Sequence, residues 1–150
     1  MIEALGAYGG LFMAAFLAAT IIPAQSEAVL VGLLALKTYP AMSLIAVASI
    51  GNVLGAVVNW WLGRGIENFK DRKWFPVKPH ALLKAQGWYT KYGRWSLLLS
   101  WVPMIGDPIT VAAGVMREKF LPFLLLVSIA KIGRYLLIAE VLMPSLNLLK

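Results

Sequence analysis

Pro23-Ala24-Gln25-Ser26-Glu27 interrupts one apolar run, and Pro103-Met104-Ile105-Gly106-Asp107 interrupts another 80 positions later. Each acid stands four residues after its proline, behind a long uncharged stretch: Ala4 to Ser26 in the first case, Trp95 to Gly106 in the second. An ionisable side chain at membrane depth is expensive and by default marks a functional site. A proline beside it breaks the helix, and broken backbone survives at that depth only where protein or a water-filled cavity satisfies it. Two such sites in one chain point to a transporter.

The rest of the chain supplies the membrane. Of 150 residues, 60% are hydrophobic and 14% charged, with a mean hydropathy of +0.75. Soluble domains carry about 45–50% apolar and about 25% charged residues. A single membrane domain over 1–150 is expected, since a few segments of roughly 20 residues nearly exhaust the length. There is no cysteine to form a disulfide or a thiolate site, and the one histidine, His80, cannot hold a transition metal alone. No cofactor or metal is expected.

The net charge of +7 is concentrated. Lys and Arg at 64, 70, 72, 73, 78, 84, 91 and 94, against Glu67 and Asp71, give the 64–94 loop +6 of it. Short basic loops lie on the cytoplasmic side, facing anionic lipids, and that placement accounts for the charge without nucleic acid. Met1-Ile2-Glu3 lacks the basic region of a signal peptide, so the first apolar stretch is expected to stay in the mature protein.

Residues 4–22 are apolar and Ala-rich, and 27–36 resume as a short apolar helix. Ten helical residues rise only about 15 Å, half a bilayer. Residues 4–36 therefore read as a re-entrant hairpin, with one span and a kinked end as the alternative. Residues 41–63 carry no charge for 23 positions and form the cleanest span. Within it Gly51, Gly55, Asn59 and Gly63 recur every four residues, a smooth ridge where another backbone can approach closely. Asn52 and Asn59 share a face and need polar partners.

In the basic loop, Pro79 opens a helix to about Tyr92. Trp74, Phe75, Trp88, Tyr89, Tyr92 and Trp95 among the basic residues make it an amphipathic helix anchored at the interface. Residues 95–117 repeat the broken theme, with Asp107 as expected N-cap and Pro108 as first helical residue. Residues 120–143 form the last span, which carries Lys131, Arg134 and Glu140.

The two halves share an order: re-entrant hairpin, short polar turn, span. A hairpin returns to its own side and a span changes it, so the halves are inverted relative to each other. The fold expected is an all-α inverted repeat, about 4–63 and 95–150, joined by the interface loop. Lys37 and both termini then lie outside, and Arg117 and Lys119 lie inside with the basic loop. Discontinuous helices meeting near the midplane of an inverted repeat are a recurring transporter design.

Pro23-Ala-Gln-Ser-Glu27, Gly51-Asn-Val-Leu-Gly55 through Leu62-Gly63-Arg64, and Lys91-Tyr-Gly-Arg94 resemble the DedA family, the SNARE-associated or VTT-domain membrane proteins. Leu99-Ser-Trp-Val-Pro103-Met-Ile-Gly-Asp107, Ala113-Gly114 and Lys131-Ile-Gly-Arg134-Tyr135 are most similar to its small YqaA-type branch. The resemblance implies two re-entrant hairpins facing each other. It also implies lipid handling in the bacterial inner membrane: proton-linked transport of polyprenyl phosphates, or phospholipid scrambling as in eukaryotic relatives. Typical members carry arginines three before and three after the second proline. Here Ser100 and Gly106 stand there, which puts the phosphate-binding role of those positions in doubt.

Lys131 and Arg134, three apart on a helix, can face one cavity and replace those arginines; alternatively they neutralise Glu27, Asp107 and Glu140 as buried pairs. Glu27 is the first candidate for proton coupling, because a phosphate competing for its cation would leave the acid to take up a proton. Asp107 is the second, and Arg94 stands at the cytoplasmic mouth. The alternatives are an intramembrane enzyme such as a lipid phosphatase, against which His80 is far from both tips in sequence, and a scaffold that oligomerises through the glycine ridge. A homodimer is expected, because two spans and two hairpins barely enclose a lipid path.

Overall fold

The computed structural model describes residues 1–20, 25–66, 72–73, 77–102 and 105–148. Pro23 and Pro103, the expected break points, lie outside the described residues. The elements are α1 Ile2–Thr20, α2 Gln25–Leu36, α3 Ala41–Arg64, α4 Pro79–Tyr92, a 3-10 segment Gly93–Trp101, α5 Gly106–Val115 and α6 Phe120–Leu148. The described residues include no strand.

Three helices are long and apolar enough to cross a membrane: Ile2–Thr20, Ala41–Arg64 and Phe120–Ser145. The first of these lies within residues 4–36, expected as a re-entrant hairpin, and is long enough to cross by itself, as in the alternative of one span with a kinked end. With no proline before Thr20, α1 runs 19 residues, about 28 Å, while the 12 residues of α2 rise only about 18 Å. In the second half, the 3-10 segment has nine residues and α5 has 10.

Pro79 opens α4, where its missing N–H costs nothing. At the other end Gly93 adopts φ 66°, ψ −152°, a conformation essentially closed to side-chain-bearing residues. That glycine turns α4 into the 3-10 segment, which accounts for its place in Lys91-Tyr-Gly-Arg94.

Two apolar cores are stacked along the long helices. The first joins Leu11 and Ala15 of α1, Leu30 and Leu34 of α2, Leu44, Ile45 and Ala48 of α3, and Tyr135 and Ala139 of α6. The second joins Ala56 of α3, Ala85 and Tyr89 of α4, Leu97 of the 3-10 segment, Ile109, Ala112 and Ala113 of α5, and Phe123 and Val127 of α6. The start of α3 thus meets the end of α6, so the two spans run antiparallel. The outer face of α6 is apolar as well: Leu121, Leu125, Ile129, Ile132 and Leu136 are exposed at steps of three and four. Lys131, by contrast, is buried on the inner face. In water this would be an inside-out helix. In hydrocarbon an apolar outer face has nothing to hide from.

The glycine ridge of α3 is filled from within the chain. A Cβ on Gly51 would stand 2.6 Å from the Phe12 carbonyl oxygen, and one on Gly55 2.5 Å from Ala19 Cβ, both on α1. One on Gly63 would collide with the Val111 carbonyl, and one on Gly114 with that of Trp60, so α3 and α5 meet backbone to backbone. The ridge is therefore not the surface through which two copies would associate. α1 and α5 already occupy it.

Candidate functional site: a polar layer between two cores

Between the two cores the long helices turn polar at the same depth. Asn52 stands 11 residues into α3, and Lys131 stands 11 residues into α6. Eleven residues rise about 16 Å, roughly half of a 30 Å hydrocarbon layer. Around them Ser26, Asn52, Ser100, Asp107, Lys131 and Arg134 line a cavity of about 10 Å³, room for about one water molecule.

The charges in this layer cancel in pairs. Lys131 Nζ lies 3.8 Å from Asp107 Oδ1, and the Arg134 guanidinium is paired with the Glu27 carboxylate. The Lys131 side chain is 3% exposed and that of Asp107 20%. An unpaired charge buried this far would be prohibitive, and pairing is what makes two cations and two anions tolerable here. Ser26 Oγ and Tyr135 Oη are 3.1 Å apart. Among the described residues four buried side-chain oxygens have no partner, Ser49 Oγ, Asn52 Oδ1, Asn59 Oδ1 and Ser100 Oγ, and two of them, on Asn52 and Ser100, belong to residues that line the cavity.

Asp107 is not the N-cap that its Pro108 neighbour suggests. The helix opens one residue earlier, at Gly106, with Ile105 as N-cap and no side-chain cap bond. Gly106 has no Cβ, so the Ser100 carbonyl presses against it where any side chain would collide. This tight turn leaves the Asp107 carboxylate free to reach Lys131. Pro108 is buried in the first turn, whose N–H groups have no intrahelical partners in any case.

Asn52 and Asn59 both donate to α1. Asn52 Nδ2 reaches the Ala15 carbonyl at 3.2 Å, and Asn59 Nδ2 reaches the Ala19 carbonyl at 2.6 Å and Thr110 Oγ1 at 3.2 Å. Thr110 in turn donates to the Asp107 carbonyl at 2.7 Å. Asn59 therefore ties the last turn of α1 to the helix that carries Asp107. Glu27, Asp107, Lys131 and Arg134 are brought together; Glu140 is exposed and apart from them.

Arg94 belongs elsewhere. Half exposed, its Nη2 lies 3.4 Å from Glu118 Oε1, and it does not line the cavity. Glu118, on the turn between α5 and α6, is a junction that its sequence setting conceals. Its carboxylate accepts the Tyr89 hydroxyl, and its carbonyl accepts Trp60 Nε1 at 3.1 Å and Arg64 Nη1 at 3.3 Å. Burial, and then Glu118 itself, push the Tyr89 hydroxyl well above its usual range. The available signal was one acid bracketed by Arg117 and Lys119. His80, far from Asp107 in sequence, lines a pocket with its neighbours Ile105 and Pro108. Among the described residues, no three His, Cys, Asp or Glu side chains come together to hold a metal.

A chain whose described residues are largely helical, with three helices long and apolar enough to cross a membrane, is a multi-pass membrane protein. The VTT domain matches residues 22–142, and the chain belongs to that family, the DedA family of membrane proteins. It is 37% identical over 139 residues to the inner membrane protein YqaA of Escherichia coli, covering 93% of this chain and 92% of that one. It is 29% identical over 112 residues to undecaprenyl phosphate transporter A of Staphylococcus aureus, covering 69% and 55% respectively. An alkaline phosphatase-like protein of Lactococcus lactis is 29% identical over 119 residues, 71% of this chain and 56% of that protein. No solved structure matches.

Proposed function

We propose that this protein is a lipid transporter of the bacterial inner membrane that moves an anionic lipid phosphate, such as a polyprenyl phosphate, through the polar layer with proton coupling. The observation that carries this reading is the pair of ion pairs, Lys131–Asp107 and Arg134–Glu27, set around a cavity at the midpoint of two antiparallel spans. Relatedness to a protein named for undecaprenyl phosphate transport supports the substrate class.

The chemistry follows from charge balance. The cavity holds about one water, so a phosphate enters only if the pairs part. Its oxygens then replace the carboxylates on Lys131 and Arg134, and Arg presents a planar fork suited to phosphate. A phosphate monoester carries about −1.5 to −2 charge near neutral pH. Adding it to a balanced site leaves Glu27 and Asp107 as surplus anions in an apolar setting, where a carboxylate is neutralised rather than left charged. Each carboxylate displaced by phosphate takes up a proton, and re-pairing on release gives it back. Asn52 Oδ1 and Ser100 Oγ, without partners, supply polar lining for the passing headgroup.

The inverted repeat is part of the same reading. α3 packs on α1 and on α5, while α6 packs on the 3-10 segment and on α2, so each span contacts a limb from both halves. In this reading the basic loop faces the cytoplasm, and a homodimer would use lipid-facing surfaces rather than the filled ridge. A hydrolytic reading is weaker, because His80 lines a different pocket from the hydroxyls of Ser26 and Ser100.

Transbilayer movement of a labelled polyprenyl phosphate in proteoliposomes tests the proposal, with and without a pH gradient, for wild type, Glu27→Gln and Arg134→Gln. Gradient-dependent movement lost in both folded variants is the expected result. Gradient-independent movement of ordinary phospholipids would replace it with a scramblase, and no movement of any lipid would leave an enzyme or a scaffold.

A further inference from the structure

Asp107 lines the central cavity, whereas its neighbours Ile105 and Pro108 line a second and larger pocket of about 220 Å³. Ala81 and Trp88 of α4 add to its apolar wall, and among the described residues its titratable lining side chains are His80 and Lys84. Both are exposed, while Pro108 is buried. Lys84 Nζ is held 5.2 Å from the centre of the Trp88 ring, which keeps the ammonium over the aromatic wall. No acidic side chain among the described residues lines the pocket.

We propose that this pocket binds the headgroup of an anionic phospholipid. Its phosphate sits against Lys84 and His80, and the first carbons of its chains lie along Ala81, Trp88 and Ile105. Three observations favour this occupant over a free anion. The wall is mostly apolar, and a bare phosphate would leave it unused. The volume is below the roughly 300–1,000 Å³ of sites that engulf a whole drug-sized ligand, so it suits a headgroup whose tail stays in the bilayer. The loop that carries α4 holds +6 of the chain's +7, and basic segments of this kind draw anionic headgroups to the membrane surface. One turn of α5 thus separates the central ion pairs from a peripheral lipid site. The inference does not rest on transport, because occupancy is measured without any gradient.

The test uses the full chain in phosphatidylcholine nanodiscs doped with photoactivatable phosphatidic acid, with adducts mapped by peptide mass. Adducts are expected on 80–88 and 105–108. Lys84→Gln lowers them about tenfold, the equivalent of about 1.4 kcal/mol, for the loss of a charge-assisted contact. Ala81→Phe lowers them by filling the space while keeping every charge, and Lys91→Gln, on the same helix but outside the pocket, leaves them unchanged. Equal labelling by photoactivatable phosphatidylcholine overturns the proposal, as does an equal loss in Lys91→Gln. Removal of the adducts by free inorganic phosphate would reassign the pocket to a soluble anion.

Discussion

Replacing Asp107 by Asn removes one charge and almost no volume, and it leaves the Lys131 ammonium 3% exposed with its partner gone. At 3.8 Å and an effective dielectric near 20, the lost attraction is about 4 kcal/mol, and breaking a buried pair from one side costs about 3–5 kcal/mol. Lys131→Met alone leaves the opposite orphan and costs slightly less, because Asp107 keeps 20% exposure. The double variant Asp107→Asn/Lys131→Met has no charge to strand. It is expected within about 1 kcal/mol of wild type, since neutral replacement of a buried pair is often harmless. The coupling energy of the cycle is therefore about 3 kcal/mol or more, far above the 0.6 kcal/mol average of ordinary polar contacts between membrane helices. Unfolding in mixed detergent–SDS micelles, followed through the chain's six tryptophans, measures it. Additive single variants, with a coupling below about 0.5 kcal/mol, would refute the view that Asp107 and Lys131 stabilise one another across the cavity.

Two further outcomes follow from packing and from the Glu118 junction. Gly63→Ala, which drives a Cβ into the Val111 carbonyl, should cost about 1–3 kcal/mol or more. Gly32→Ala, with nothing within 4 Å, should be neutral or stabilising by about 0.5–1 kcal/mol; the same SDS titration ranks the two. At alkaline pH the Tyr89 hydroxyl stays protonated in the folded protein, because burial and Glu118 raise it, whereas the unfolded chain ionises near pH 10. The unfolded state then binds fewer protons. The stability that this group contributes below pH 10 is thus lost as pH rises, by up to about 1.4 kcal/mol per pH unit. Tyr89→Phe should remove that slope, and an identical alkaline slope in the variant would show that Tyr89 is not its source.

Membrane character, the two long internal spans and the limits of α4 were all legible, because each depends on local properties: uncharged length, or a proline at a helix start. The four ionisable residues of the polar layer were legible for the same reason, since a charge inside an apolar run needs no neighbours to be noticed. Their pairing was not. Lys131 and Arg134 could serve either acid, and only the packing of α6 against the 3-10 segment that precedes Asp107 and against α2 assigns Asp107 to one and Glu27 to the other. Glu118 was passed over because a lone acid among basic residues is ordinary at a membrane surface. Its value lies in what Tyr89, Arg94, Trp60 and Arg64 bring to it from other elements. The helix start at Asp107 went wrong where a local rule met a tertiary contact: the Ser100 carbonyl against Gly106 moved the cap by one residue.

Sequence by itself determined that this chain lives in a membrane and that it carries charges within its apolar runs. Hydrocarbon enforces those features residue by residue, through desolvation and backbone hydrogen bonding. Tertiary structure alone decided what the glycine ridge touches, which cation holds which acid, and that His80 shares a pocket with Ile105 and Pro108. Those are relations between segments far apart in the chain. They are set by how closely backbones approach and by which buried charge finds another, and neither is written in any single stretch.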